Sequence, residues 1–99
     1  MRFTWDASKS ERNLAERRFD FAFATLIFDG PTLERPDTRR DYGEPHAVAV
    51  GLADGIHLTV VYTDRPSPAG GPPVRRIISA RLSNRRERQA YAETFPPPG

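Results

Sequence analysis

Apolar residues along the chain fall into short, well separated runs, and the period within each run suggests an element. Arg2 to Trp5 alternates, with aromatic residues at Phe3 and Trp5, and reads as a short opening strand. Asp6 is placed to cap the helix that follows, while Ser8 and Glu11 offer a second capping register. That helix is expected from Ala7 to about Arg18 and is unusually polar, with Ala7, Leu14 and Ala15 its main apolar residues. Asp20 caps a second expected helix, Phe21 to Phe28, in which almost every residue is apolar, so it should be largely buried. Asp29-Gly30-Pro31 ends it, and residues 32–45, turn-rich and charged, read as an exposed loop.

Three strands then follow. Ala47 to Gly51 is a strand of small residues, and Ala53-Asp54-Gly55 is a hairpin turn signal. Ile56 to Thr63 alternates, with Ile56, Leu58, Val60 and Tyr62 on one face and His57, Thr59, Val61 and Thr63 on the other. Ser67 to Pro73, flanked and punctuated by prolines, is expected to be a flexible hairpin loop. In the next strand, Val74 to Arg81, strict alternation puts Arg75, Ile77, Ser79 and Arg81 on one face, and Arg76, Ile78 and Ala80 on the other. Ser83 or Asn84 caps a closing helix, and Asn84 with Glu87 fits a capping box. The expected order is β-α-α-β-β-β-α. Short connections between the last three strands favour antiparallel pairing. The fold class is therefore α+β, a small antiparallel sheet with helices packed on one side and a free face for binding. Residues 1–95 should form one domain, with a flexible Pro-rich tail at 96–99.

Composition narrows the chemistry. With no cysteine, disulfides, thiolate metal sites and cysteine nucleophiles are excluded. The two histidines, His46 and His57, are too few for a convincing zinc or iron site, so no metal and no cofactor are expected. No apolar run approaches membrane-spanning length, and the N-terminus has no apolar core segment, so the chain reads as cytoplasmic. The net charge of +2 hides a polarised molecule. Residues 75–99 hold six basic and two acidic side chains (+4), against nine and eleven (−2) in residues 1–74. Fourteen of the fifteen basic residues are arginine, whose planar fork suits phosphate, so nucleic acid is the leading partner.

Several fragments, in order, carry a resemblance. They are Phe3-x-Trp5-Asp6 with Lys9 and Asn13, then Phe21 and the run into Phe28-Asp29-x-Pro31. Val61-Tyr62-Thr63-x-Arg65, Arg76-Ile77-Ile78-Ser79-Ala80-Arg81 and Glu87-Arg88-x-x-Tyr91 follow. Together they resemble the BrnT toxins, the ribonuclease halves of bacterial type II toxin–antitoxin pairs. The resemblance implies a RelE-like fold and an RNA-cleaving toxin that inhibits translation. It also implies a BrnA-like antitoxin with a ribbon-helix-helix domain, through which alone the complex would reach operator DNA. Because that domain is an obligate dimer, two toxins per antitoxin dimer are expected. No large apolar stripe is expected on the polar first helix or the arginine-rich last one, so the free toxin should be monomeric. Two features differ from the family pattern. Glu16-Arg17-Arg18 stands where members often carry Lys-His-Gly, and the segment at 66–73 lengthens a hairpin that is usually shorter.

Cleaving RNA without a metal requires deprotonating a 2′-hydroxyl, stabilising the phosphorane oxygens and protonating the leaving 5′-oxygen. Arg65 and Arg81, at the ends of successive strands, are expected to converge near one sheet edge and hold the phosphate, as their match to the family also implies. One of Arg75 and Arg76 should reach RNA and the other serve structure. Arg85 and Arg86 are RNA-binding candidates, and with Arg88 are equally read as a solvated face or a contact for an acidic antitoxin. Glu87 and Tyr91 share a helix face. Either they take part in proton transfer, or Tyr91 packs with Phe95 while Glu87 pairs with an arginine. His46 is a catalytic candidate because its ordinary pKa near ~6.5 suits acid–base work. Lys9 and Asn13, one turn apart, are either RNA contacts or a polar surface stripe. Besides an endoribonuclease, the same residues fit a catalytically silent RNA- or antitoxin-binding module. A DNA-binding regulator is weaker, since no helix has a recognition-helix context.

Overall fold

The computed structural model describes residues 1–98. Strand β1 (Arg2–Trp5) leads into helix α1 (Ala7–Arg17) and the short helix α2 (Phe21–Ala24), which runs on as a 3-10 turn over Thr25–Asp29. Strands β2 (Leu33–Pro36), β3 (Ala47–Ala53), β4 (Ile56–Arg65) and β5 (Val74–Leu82) precede helix α3 (Arg85–Thr94). The five strands form one sheet in the order β1-β5-β4-β3-β2.

Local rules account for most boundaries. Asp6 rather than Ser8 caps α1, accepting from Lys9 N at 3.1 Å, and Asp20 caps α2 through Phe23 N at 2.9 Å. The Asp54-Gly55 turn puts both residues at positive φ (50° and 80°), as a two-residue β3–β4 hairpin requires. The capping box at α3 is complete, with 2.8 Å bonds in both directions between Asn84 and Glu87. The polar helix α1 docks through hydrogen bonds. Ser10 Oγ accepts from Phe21 N at 3.0 Å, and Asn13 Nδ2 donates to Phe19 O at 2.9 Å.

The sheet corrects several expectations. It is mixed, because β1 runs parallel to β5 while β2–β3, β3–β4 and β4–β5 are antiparallel. The short-connection argument concerned only the later strands, and the long path through α1 to β4 allows a parallel return. Residues 33–36 of the expected loop are a strand. Leu33 is its only large aliphatic residue and Pro36 cannot donate to a ladder, a composition that suits a sheet edge. The all-helical reading of 21–28 is also revised. The chain tightens into the 3-10 turn so that Ile27, fully buried, lies on Gly51 of β3, where an added Cβ would stand 2.9 Å from Ile27 Cβ.

The helices do not collect on one side. Phe19, Phe21, Ala24 and Ile27 pack with Ala49, Ala53, Leu58, Val60, Tyr62, Ile77 and Ala80 to form the core on one face. Helix α3 lies on the other, where Tyr91 meets His57 edge-on at 5.5 Å and Glu87 binds Arg81. The two-residue link Ser83-Asn84 turns the chain back onto that face. Strict alternation along β5 also fails. Val61 pairs with Ser79 but Tyr62 pairs with Ile77, so Ile78 is the extra residue of a β-bulge. Arg81, opposite Thr59, and Arg76, opposite Thr63, therefore share the α3 face, while Arg75 joins Ile77 on the core face.

Candidate functional site

The α3 face carries the cationic cleft. Arg81 projects beside Thr59 and donates to both carboxylate oxygens of Glu87, at 2.7 and 2.8 Å. Glu87 also accepts from the Asn84 backbone N–H, so the cap that starts the helix orients the carboxylate. Burial raises the Glu87 pKa, but the Arg81 guanidinium and the Asn84 N–H outweigh it and hold the carboxyl down to about 2. The pair borders a cleft of about 460 Å³ whose walls are Val48 and Val50, with Arg35, Arg86, Asn84 and one further carboxylate, Glu34, at its margin. Beneath α3, Thr59 and Ser83 share a buried hydroxyl–hydroxyl hydrogen bond of 2.8 Å, which fixes the β5–α3 turn.

Arg65 lies on the same face but at the opposite end. Antiparallel pairing sets Arg65 against Val74 and Arg81 against Thr59, six residues apart along β4. At roughly 3.3 Å per residue that is about 20 Å, so the two arginines do not converge. Arg65 instead holds Glu44 at 2.7 and 3.2 Å, while Thr63 Oγ donates to Pro45 O at 2.7 Å and lies 3.1 Å from the same carboxylate. The Arg65 guanidinium keeps the Glu44 carboxyl below its usual range. His46 stands near this second cluster, its Nε2 4.0 Å from Glu44 and its ring stacked on Tyr42 with centroids 4.0 Å apart. Its side chain is only 8% exposed and Nδ1 has no hydrogen-bond partner among the described residues, so the ring is closed off from a ribose in this conformation.

The remaining candidates separate clearly. Arg75 is an anchor: its guanidinium lies 4.0 Å from the Tyr62 ring centre and 4.8 Å from that of Phe28, and it holds Asp64 with two 2.8 Å bonds. Tyr62, at the same place, donates to Glu34, and its hydroxyl pKa is pushed up by burial and by that bond. Tyr91 is buried against Phe95 and donates to Pro31 O at 2.9 Å, away from the cleft. Asn13 is buried and committed to Phe19 O and to Arg17, so it is not an RNA contact in this arrangement; Lys9 is exposed. Arg85 and Arg86 are exposed at the start of α3, and Arg76 is half-buried opposite Thr63.

Two features were missed from sequence. Glu44 lay in a segment read as loop, and Arg35 in a strand that its composition concealed. Asn84 was legible only as a cap, although its backbone N–H holds a cleft carboxylate. At the end of α1, Arg18 adopts φ 71°, and its N–H donates to Leu14 O at 3.0 Å. A left-handed helix end of this kind favours glycine, and here an arginine occupies it. Arg17, beside it, binds Asn13 Oδ1 at 3.0 Å and Ala80 O at 3.3 Å.

A family model described as "Ribonuclease toxin, BrnT, of type II toxin-antitoxin system" matches residues 5–87 of the 99. The chain therefore belongs to the BrnT family. Nothing among the curated proteins matches it. Family membership makes it a ribonuclease toxin of a type II system, with an antitoxin as its partner.

Proposed function

We propose that this toxin is an endoribonuclease that cuts RNA by attack of a 2′-hydroxyl on its own phosphate, with no metal, and thereby inhibits translation. The bidentate Arg81–Glu87 pair at the mouth of the cationic cleft carries the reading. Arg81 is 44% exposed, so a phosphate can reach the guanidinium from solvent and take the fork that Glu87 now occupies. Its donors then stabilise the phosphorane oxygens. Glu87, released from its counter-charge but still held by Asn84 N–H, loses the main influence that depresses its pKa. It becomes a competent base for the 2′-hydroxyl proton; the 5′-oxygen leaves as the cyclic phosphate closes and takes a proton from water. Arg35, Arg76, Arg85 and Arg86 guide the RNA backbone. Arg65, on exchanging Glu44 for RNA, forms a second phosphate contact further along the strand rather than part of the reaction centre.

The partner on this reading is a BrnA-like ribbon-helix-helix antitoxin, two toxins joining one antitoxin dimer, and operator DNA is reached through the antitoxin. A silent binding module is the second reading. One observation favours it: Arg17, where the family pattern often has histidine, is bonded into the fold through Asn13 and Ala80. Incubating the purified chain with a labelled RNA oligonucleotide in chelator separates the two. Cleavage to 2′,3′-cyclic phosphate ends, lost by about 10²–10³-fold in a folded Arg81→Ala variant, is expected for the enzyme. RNA binding without cleavage would establish the silent module.

A further inference from the structure

The first helix, expected to carry no large apolar stripe, contributes to one. Leu14 near the end of α1, Ile56 at the start of β4 and Leu82 at the end of β5 are 50%, 45% and 58% exposed. All three line one cleft of about 390 Å³, floored by Leu58 and Phe19. Side chains of this size left half in water at one spot mark a surface that another molecule covers. Arg17 and Arg18 stand at the rim with one carboxylate, Asp20, which is engaged by Phe23 N–H, so the rim is net positive; Leu82 lies only three residues before Arg85, at the start of the arginine-rich α3.

We propose that this groove is the principal docking site of the antitoxin and that its occupant is an amphipathic segment with an aliphatic face and acidic flanks. The partner itself rests on the family's toxin–antitoxin pairing; the site and its chemistry rest on the groove. Aliphatic residues one helical turn apart would fill the space between Leu14, Ile56 and Leu82. The acidic flanks would meet Arg17 and Arg18. A second copy of this chain is a poorer occupant, because a two-fold contact would bring the same arginines face to face. The groove opens on the core side of the sheet, whereas Arg81 faces the other side, yet Leu82 and Arg81 are successive residues. A segment leaving the groove around the end of β5 arrives beside Arg81. One partner can thus be held by apolar contact and block the cleft by its extension.

The test uses the full chain and a purified BrnA-like antitoxin. Leu14→Asp and Ile56→Asp, singly and together, replace exposed positions, and circular dichroism checks the fold. Calorimetry should show antitoxin binding weakened by roughly 30-fold or more in the double variant, the range of lost hot-spot residues. Cleavage of RNA by the free variant should be unchanged. Unaltered antitoxin affinity in the folded double variant would overturn the proposal. So would light scattering showing that the wild-type chain alone is a dimer which the substitutions dissociate. Binding is scored apart from cleavage, so an inactive wild-type chain would refute the enzymatic reading and leave the docking result standing.

Discussion

Replacing Glu87 with glutamine separates the two roles that the Arg81–Glu87 pair plays on the proposed reading. The amide oxygen can still accept from Asn84 N–H, so the helix cap survives, while the charge facing Arg81 disappears. A carboxyl held at about 2 against an ordinary 4.5 corresponds to about 3 kcal/mol at ~1.36 kcal/mol per pH unit. Because the Arg81 side chain is 44% exposed, solvent screening brings the stabilisation down to roughly 1–2 kcal/mol. For a chain of this length, Glu87→Gln should lower Tm by roughly 5–10 °C at pH 7. The folded pKa lies below the unfolded one, so the contribution is complete above pH 4.5 and disappears as the pH falls to about 2. The Tm gap between variant and wild type should close over that window. In RNA cleavage, kcat should fall by about 10²–10⁴-fold with loss of the base. RNA binding should tighten, since phosphate no longer competes with a carboxylate for Arg81. Steady-state kinetics on a fluorescent oligonucleotide, with anisotropy for binding, measure both. A folded variant with unchanged kcat would remove Glu87 from proton transfer, and weaker RNA binding would refute the exchange at Arg81.

Other substitutions test the remaining assignments. Arg18→Gly, which relieves a side chain at φ 71°, should stabilise the fold by roughly 0.5–1 kcal/mol and raise Tm without altering cleavage; a lower Tm would mean that Arg18 makes a compensating contact. Arg75→Ala removes the stack on Tyr62 and Phe28 and strands Asp64, and should cost roughly 2–3 kcal/mol in denaturant unfolding. Tyr91→Phe should cost about 1 kcal/mol through the lost bond to Pro31 O and leave toxicity intact; a toxin silenced without loss of stability would return Tyr91 to the chemistry.

What the sequence disclosed depended on how local the governing rule was. Asp6, Asp20 and Asn84 cap as read because a cap is decided within four residues, and the Asp54-Gly55 turn and the faces of β4 follow from equally short rules. The β-bulge at Ile78 has no such signal: RRIISAR alternates acceptably in either register, and only pairing with β4 shows that Arg75 and Arg81 lie on opposite faces. Strand β2 was hidden because an edge strand is meant to look polar. The expected meeting of Arg65 and Arg81 failed for a reason already present in the sequence reading. Strands joined by a hairpin run in opposite directions, so their C-terminal ends cannot adjoin. The family resemblance identified Arg81 and Glu87 separately, and their contact needed the turn at Ser83-Asn84 to bring α3 back over the sheet.

That contact changes what the excess of arginine means. Three arginines that looked available to phosphate each hold a carboxylate through two bonds: Arg75 with Asp64, Arg65 with Glu44 and Arg81 with Glu87. The chemistry of the three pairs is the same, and their surroundings separate them. Arg75 is 14% exposed and packed against the Tyr62 and Phe28 rings, so an exchange of partner would break packing as well as an ion pair. Arg65 is open to solvent, but its partner Glu44 is also 31% exposed and lies on an irregular segment rather than in a helix cap. At Arg81 the guanidinium is open while Glu87 is largely covered and fixed by the cap of its own helix. A phosphate can therefore replace the carboxylate as ligand of the arginine without displacing it far, at a cost set by one ion pair exchanged for another. Of the three pairs, this one best fits an arrangement in which substrate binding unmasks a base at the place where it is needed.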